Sequence, residues 1–189
     1  MTSLLDLWLP ILLSAFAMFF LGFIFWMVLP HHRSDWKPVG DEDGLMDDLR
    51  ARGVKGPGQY SFPHCGSPEV MKDPEFVKKM EAGPSGMLVL MPPGPLNMGK
   101  SMGQTVAHNA VVAAVVAYAA GMALAPGAAF MDVFRFVGTL GILAYCASLP
   151  TRSIWFHEDW TATWKSIFDG AVSGLIMGLI FAGLWPSVG

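Results

Sequence analysis

Four stretches of the chain are apolar over about the length of a helix that crosses a membrane. The first, Leu7 to Leu29, has 23 residues and no charged side chain. At 1.5 Å per residue, about 20 helical residues span a hydrocarbon core of about 30 Å. The other three stretches are Val106–Ala125, Phe130–Leu149 and Ile167–Trp185. The pattern predicts an all-α fold, an integral membrane bundle of four helices.

The first apolar stretch is predicted to be a permanent helix rather than a cleaved signal peptide. No Lys or Arg precedes Arg33, so the basic start of a signal peptide is missing. The stretch is also longer than the roughly 7–15 apolar residues of a signal core. It ends at Pro30-His31-His32-Arg33 instead of at a cleavage site of small residues.

The polar segment between the first two apolar stretches is predicted to be a loop of about 75 residues. The chain then divides into helix 1 (1–30), the loop (31–105) and a three-helix region (106–189). The loop holds too few apolar residues to build much of a core, so we expect it to lie on the membrane face or against a partner. Within it, short helices are predicted at 41–52 and 73–82 and a strand-like run at 87–91.

An interfacial helix is predicted near 156–168, ahead of the last apolar stretch. Phe156, Trp160 and Trp164 recur there at helical spacing, with His157, Glu158 and other polar residues on the opposite side. Such two-sided helices commonly lie in the plane of the membrane surface.

Composition agrees with lipid as the main solvent. Apolar residues make up 53% of the chain and charged residues only 14%, against about 25% charged in soluble domains. These values exclude a disordered chain, a collagen and a disulfide scaffold. The net charge of −3 shows no polybasic signature, so nucleic acid is not an expected partner.

The distribution of basic residues predicts the orientation in the membrane. Nine of the 12 Lys and Arg residues lie between Pro30 and Thr105, and the third connection carries Arg152 and Lys165. The second connection and both termini carry none. The positive-inside rule therefore predicts a cytoplasmic loop 31–105 and two periplasmic termini.

Small residues recur on one side of several apolar stretches. Gly170, Gly174 and Gly178 are four residues apart and so share one helix face. Such a face lets a second helix approach closely. It predicts either tight packing within the chain or a seam between two copies. The other glycines expected at helix contacts are Gly121, Gly138 and Gly141.

His108 and Asp169 are the ionisable candidates inside the apolar stretches, both near the predicted cytoplasmic end. A buried carboxylate and imidazole can pair, relay protons or bind a cation. The alternative is that each lies at headgroup level, solvated or capping a helix. A haem with two histidine ligands would need a second histidine within these stretches, and the sequence has none. No cofactor is predicted.

Residue types that bind zinc or iron occur in three groups on the predicted cytoplasmic side. They are His31, His32 and Asp35; His64 and Cys65; and His157, Glu158 and Asp159. No group has two histidines at i, i+4 or the C-x-x-C spacing of a strong metal motif, so we interpret all three as solvated polar loops. The sequence predicts no metal site, and it yields no catalytic triad.

The string Gly94-Pro95-Leu96-Asn97-Met98-Gly99-Lys100-Ser101 matches the P-loop pattern and follows a strand-like run. A functional P-loop needs a parallel sheet and backbone N–H groups around the phosphates. Here a predicted membrane helix follows the string, and Pro95 removes a donor. We therefore interpret the string as a turn, with Lys100 at the headgroups, and predict no nucleotide binding.

Several short strings carry a resemblance to a known group. They are Trp26–Trp36, Gly58–Pro63, Phe134-Arg135, Ile154–Phe156 and Lys165–Gly170. With these strings the chain resembles a group of small uncharacterised four-helix proteins of the bacterial inner membrane. The resemblance implies a bacterial, four-spanning protein. It implies no activity, ligand or catalytic residue.

Together these features favour a non-enzymatic structural or accessory membrane subunit. We expect its partners to be the lipid bilayer and either further copies of itself or the subunits of a larger membrane complex. The alternative is an oligomeric transporter or channel for a small solute or ion that uses Asp169 and His108. An enzymatic function has only the histidines and acids of the loops in its favour.

Overall fold

A computed structural model describes residues 2–54 and 56–187, and it is mostly helical. Its helices, as far as these residues are concerned, are α1 (Trp8–Phe23), α2 (Glu42–Ala51), α3 (Pro74–Ala82), α4 (Met98–Ala123), α5 (Phe130–Cys146), α6 (Leu149–Phe156) and α7 (Trp160–Gly183). Two short strands are β1 (Gly58–Phe62) and β2 (Gly86–Leu90). The chain divides into two units, residues 1–37 with 97–189, and residues 38–96.

The prediction of four long apolar helices is confirmed. Within the described residues, four helical segments are long and apolar enough to cross a membrane. They are Trp8–Val28, Met98–Ala123, Phe130–Phe156 and Trp160–Gly183. In each segment, between 22% and 39% of the residues in an 18-residue apolar stretch are buried, so most of this apolar surface faces outward.

The first unit is held together by contacts of α7 with α5 and α1, and by contacts of α1 with α4. Val133 and Val137 of α5 and Met177 and Phe181 of α7 are fully buried in its core. The α1–α4 side adds Leu7, Met18, Ala113, Val116, Ala117 and Ala120. Only a narrow stripe of each helix is buried, and the outward faces of these helices are also apolar.

The glycine face of α7 packs against α5 within the chain. A Cβ added to Gly174 would lie 2.4 Å from the backbone nitrogen of Ile142, and one added to Gly141 would lie 2.8 Å from the Gly174 Cα. One added to Gly178 would lie 3.0 Å from the Gly138 Cα. These backbones approach too closely for side chains, so the face that could serve as a seam between copies is occupied by α5.

Two more of the predicted glycines have different close neighbours. A Cβ on Gly170 would lie 2.7 Å from the Cys146 sulfur. On α4, a Cβ at Gly121 would lie 2.5 Å from the carbonyl oxygen of Thr2. The Thr2 backbone N–H donates to the Gly121 oxygen at 3.1 Å. Gly121 therefore accommodates the N-terminal segment.

Two helix boundaries differ from the predicted ones. The interfacial helix expected near 156–168 was predicted to lead into the last apolar stretch, but its first residues lie outside α7: α6 ends at Phe156, where His157 takes a left-handed conformation (φ 56°). The helix restarts at Trp160 and continues as α7. At the other boundary, α4 begins at Met98 rather than near Val106. The Asn97 side chain caps it by accepting the Lys100 N–H at 3.0 Å.

The cap of α7 makes its stability sensitive to acid. The Asp159 carboxylate accepts the Thr161 N–H at 2.8 Å, and this hydrogen bond lowers the pKa of Asp159 below its ordinary value. A lowered folded-state pKa gives stability that is complete above the unfolded-state pKa and lost as the pH falls through the folded-state pKa. Asp159→Asn keeps the acceptor but not the charge, so it should lose less stability than wild type between neutral pH and about pH 3. Detergent-solubilised protein unfolded at both pH values tests this, and equal losses would contradict it.

The second unit, residues 38–96, has secondary structure without a core. Strands β1 and β2 pair antiparallel, with Tyr60 opposite Leu88 and Phe62 opposite Gly86. Helices α2 and α3 begin at aspartate caps, Asp41 and Asp73. No residue of this unit that the structure describes is buried. The fold class is therefore mostly helical rather than purely α.

Candidate functional site

Three side chains that are far apart in sequence meet just beyond the end of the first helical segment. His31 Nε2 lies 3.1 Å from Oδ1 of Asp169, although the two residues are 138 positions apart. His32 Nε2 lies 2.8 Å from Oδ2 of the same carboxylate. His32 and Asp169 are buried and His31 is half-buried. Two imidazoles therefore converge on one carboxylate.

A second carboxylate supports this arrangement. Asp35 Oδ2 lies 2.5 Å from Nδ1 of His32, and Asp35 Oδ1 accepts a hydrogen bond from Lys165 Nζ at 2.6 Å. The Asp35 side chain is only 7% exposed. We refer to His31, His32, Asp35, Lys165 and Asp169 as the polar cluster.

Local backbone structure brings the cluster residues to one place. After the π-helical turn Ile24–Val28, Leu29 is extended. Tight turns then follow, with Arg33 N–H donating to the Pro30 oxygen and Asp35 N–H to the His32 oxygen, each at 3.1 Å. On α7, Lys165 and Asp169 are four residues apart and share one face.

Aromatic rings hold the two imidazoles in place. The Trp26 ring stacks on His32 with centroids 4.0 Å apart and planes 3° from parallel. Phe25 meets His31 edge to face at 6.2 Å. These contacts restrict rotation of both rings, so their nitrogens are oriented before any ligand arrives.

The charged neighbours in the cluster shift the pKa values of His32 and Asp35. Burial alone would lower the pKa of His32, but hydrogen bonds and charge interactions with Asp35 and Asp169 outweigh it, and the pKa is raised. Burial alone would raise the pKa of Asp35, but hydrogen bonds from Lys165 and His32 outweigh it, and the pKa is lowered. Asp35 is therefore an anion at neutral pH.

A shallow, open cleft of about 540 Å³ lies beside the cluster. Its walls are almost entirely apolar, and it reaches His31 and Lys165. The remaining lining residues are Leu29, Pro30, Trp164 and Phe168. The cleft gives a small ligand access to His31 from outside.

The cluster has two chemical capabilities. As a set of hydrogen bonds and ion pairs, it ties the segment after α1 to α7. As a ligand set, it offers one nitrogen from each histidine and one Asp169 oxygen, all within 4.8 Å of one another. Imidazole nitrogen and carboxylate oxygen are common ligands of zinc and of iron.

The four polar residues that the sequence offered as functional candidates do not lie together in the structure. Asp169 joins the cluster, whereas His108 is exposed on α4. His157 and Glu158 are exposed between α6 and α7. There Arg152 Nε donates to Glu158 Oε1 at 2.7 Å.

The sequence grouped His31, His32 and Asp35 as a solvated loop, but the structure buries His32 to 4% exposure. One sequence signal pointed to this result. The two histidines directly follow the first apolar stretch, and Asp169 lies in the last one at the same predicted end.

The P-loop-like string lacks the setting of a nucleotide site. In the described part of the chain, β2 pairs with β1 in a two-stranded antiparallel sheet rather than in a parallel one. The Lys100 N–H, which a phosphate would need, donates to the Asn97 side chain. We therefore expect no saturable binding of a fluorescent ATP analogue with Mg²⁺ at micromolar concentration, and the same signal from Lys100→Ala. Saturable binding that Lys100→Ala abolishes would contradict this expectation.

Comparisons of the chain with protein-family models, with curated proteins and with solved structures find no match.

Proposed function

We propose that this chain is a four-pass protein of the bacterial inner membrane that acts as a non-enzymatic structural or accessory subunit. The membrane assignment is supported by the four long apolar segments, whose surfaces are mostly turned outward. In water such surfaces would carry a large free-energy cost, which lipid removes. The distribution of Lys and Arg supports a cytoplasmic long loop and periplasmic termini.

The lack of buried residues in the unit 38–96 supports the proposal that the protein assembles with a partner. Its described residues form a hairpin and short helices, yet none of them is buried. A two-stranded hairpin is marginally stable without a surface to pack against. Apolar side chains exposed in this unit include Met71, Val77, Met80, Val89 and Met91. A second copy or another membrane subunit would supply the missing surface.

Hydrogen exchange in two settings tests this proposal. We expect amides of residues 38–96 to be protected in native membrane vesicles and to lose that protection when the chain is purified as a monomer in harsh detergent. In mild detergent the full chain should run larger than a monomer by light scattering. A variant with 38–96 replaced by a Gly-Ser linker should be smaller by more than the mass removed. A full chain that is strictly monomeric, with fast exchange across 38–96 in both settings, would contradict the proposal.

A second candidate function is transport by an oligomer, favoured by the position of Asp169. This carboxylate lies within a helix that is apolar enough to cross a membrane, is 8% exposed and contacts two imidazoles. Ionisable groups in such helices are expensive and often mark a path for ions. Flux of a small cation into proteoliposomes that Asp169→Asn abolishes and His108→Gln leaves unchanged would favour Asp169 alone. Loss in both variants would favour the pair expected from the sequence, and absence of flux in the wild type would reject transport.

A further inference from the structure

The polar cluster has the arrangement of a transition-metal site. We propose that His31, His32 and Asp169 bind one divalent first-row transition ion, of which Zn²⁺ is the type. The donors are Nε2 of each histidine and a carboxylate oxygen of Asp169. This inference goes beyond the proposed accessory function and does not depend on it.

The hydrogen bonds of His32 provide the first argument. Both of its ring nitrogens face carboxylate oxygens, Nδ1 at 2.5 Å from Asp35 and Nε2 at 2.8 Å from Asp169. A doubly protonated imidazole would donate at both contacts, whereas the neutral imidazole that binds a metal carries a single N–H and can donate at only one of them. With the proton on Nδ1, the lone pair of Nε2 points at an oxygen that also carries lone pairs. A cation between these two atoms turns a repulsive contact into two bonds.

Asp35 and Lys165 act as the supporting groups. Histidines that bind metals usually donate their other ring N–H to a carboxylate, which fixes the tautomer and the ring orientation. Asp35 takes this position at His32. Lys165 donates to the second oxygen of Asp35 and so holds that carboxylate in place. Stacking of Trp26 on His32 holds the ring plane.

The spacing of the three donor atoms fits one ion. They lie within 4.8 Å of one another. Ligands of a tetrahedral zinc ion, with bonds of about 2.0–2.1 Å, are separated by about 3.3 Å. Oδ2 of Asp169 lies 3.3 Å from His31 Nε2, which matches this separation, and 2.8 Å from His32 Nε2, which is shorter by about half an ångström and needs a small side-chain rotation. Three protein ligands leave the fourth position for water.

Charge and access also favour a divalent cation. With neutral histidines, the two carboxylates and one ammonium of the cluster leave a net charge of −1. Lys165 is held by Asp35 and by the hydroxyl of Ser34, so its charge is engaged outside the ligand set. The His31 side chain is 26% exposed, so one donor of the set can be reached from outside the protein.

Direct metal titration tests the proposal. The full chain is purified in detergent without a histidine tag, stripped with a chelator and titrated with Zn²⁺ against a chromophoric chelator. We expect one equivalent to bind, undisturbed by millimolar Mg²⁺. His31→Gln, His32→Gln and Asp169→Asn should each weaken binding by about 100-fold or more, and Asp35→Asn by about 10–100-fold. His64→Gln and His108→Gln, which remove exposed histidines outside the ligand set, should bind as wild type does.

X-ray absorption at the zinc edge of the wild-type protein reports the ligands without any variant. Two imidazoles with oxygen ligands in the remaining positions would support the site even if the variants fail to fold. The proposal is overturned if the stripped wild type binds no zinc at 100 μM, or if the spectrum shows no imidazole. It is also overturned if folded His32→Gln binds as tightly as wild type. In that case the cluster is a hydrogen-bonded tie with a doubly protonated His32.

Discussion

Gly174→Ala should destabilise the helical unit by about 2–3 kcal/mol, because one methyl group forces two backbones apart. The added carbon would lie 2.4 Å from the Ile142 nitrogen and 2.8 Å from the carbonyl carbon of Gly141. Backbone atoms within helices cannot move aside as the end of a long side chain can. The helices α5 and α7 therefore have to separate, and the contacts around Met177 weaken with them. Unfolding by SDS, followed by circular dichroism, measures the loss.

Gly22→Ala is the matched control for this substitution. Gly22 also lies within a long apolar helix, but an added Cβ there meets no atom of the described residues within 4 Å. Alanine favours a helix by up to about 1 kcal/mol over glycine, so this variant should be neutral or slightly stabilised. If Gly174→Ala instead kept full stability and changed only the oligomeric size, the glycine face would be a seam between copies.

Asp35→Ala should cost about 2–3 kcal/mol of stability in metal-free buffer, since it leaves two donors without their acceptor. The Asp35 side chain is 7% exposed and pairs with both His32 and Lys165. Breaking a fully buried pair costs about 3–5 kcal/mol. The expected cost for Asp35→Ala is below that range because the Lys165 side chain is 21% exposed and can regain some hydration. Chelator in the buffer keeps this measurement separate from metal binding.

Glu158→Gln provides the comparison for Asp35→Ala. Glu158 also pairs with a basic residue, Arg152, but these side chains are 42% and 63% exposed. Exposed pairs contribute about 0–1 kcal/mol, so the loss should be small. Lys165→Met in the Asp35→Ala background should recover part of the loss by removing the unpaired ammonium. Equal losses for Asp35→Ala and Glu158→Gln would mean that the polar cluster is not shielded from water.

The main helices were predictable because membrane-length apolar runs have few alternative structures. The residues at which these helices begin and end were harder to predict. The apolar run around Val106 does not show that α4 starts at Met98, because that start depends on the Asn97 cap and a polar first turn. Likewise Trp160 is part of α7, since Asp159 restarts the helix after a break at His157. Strand β1 was not predicted, because its stability comes from pairing with β2 and not from its own pattern.

The site was predictable only in part. Asp169 stood out as an acid in an apolar stretch, and His31 and His32 stood out as ligand types, but the only partner considered for Asp169 was His108, with solvated positions at headgroup level as the alternative. Which helices are neighbours, and how each is rotated about its axis, decides which polar groups meet. Those choices depend on packing such as the contact of Gly174 with α5, and a single helical pattern does not reveal them.

The central position of α7 has a consequence for biosynthesis. This helix packs against α5 and contributes Met177 and Phe181 to the core. It also supplies Asp169, which lies against His31 and His32. Ribosomes make the chain from its amino end, so in the proposed four-pass protein every earlier helix waits in the translocon or the lipid without these contacts until α7 emerges. The nascent protein should accordingly stay sensitive to quality-control proteases until α7 is inserted, and then become resistant in one late step.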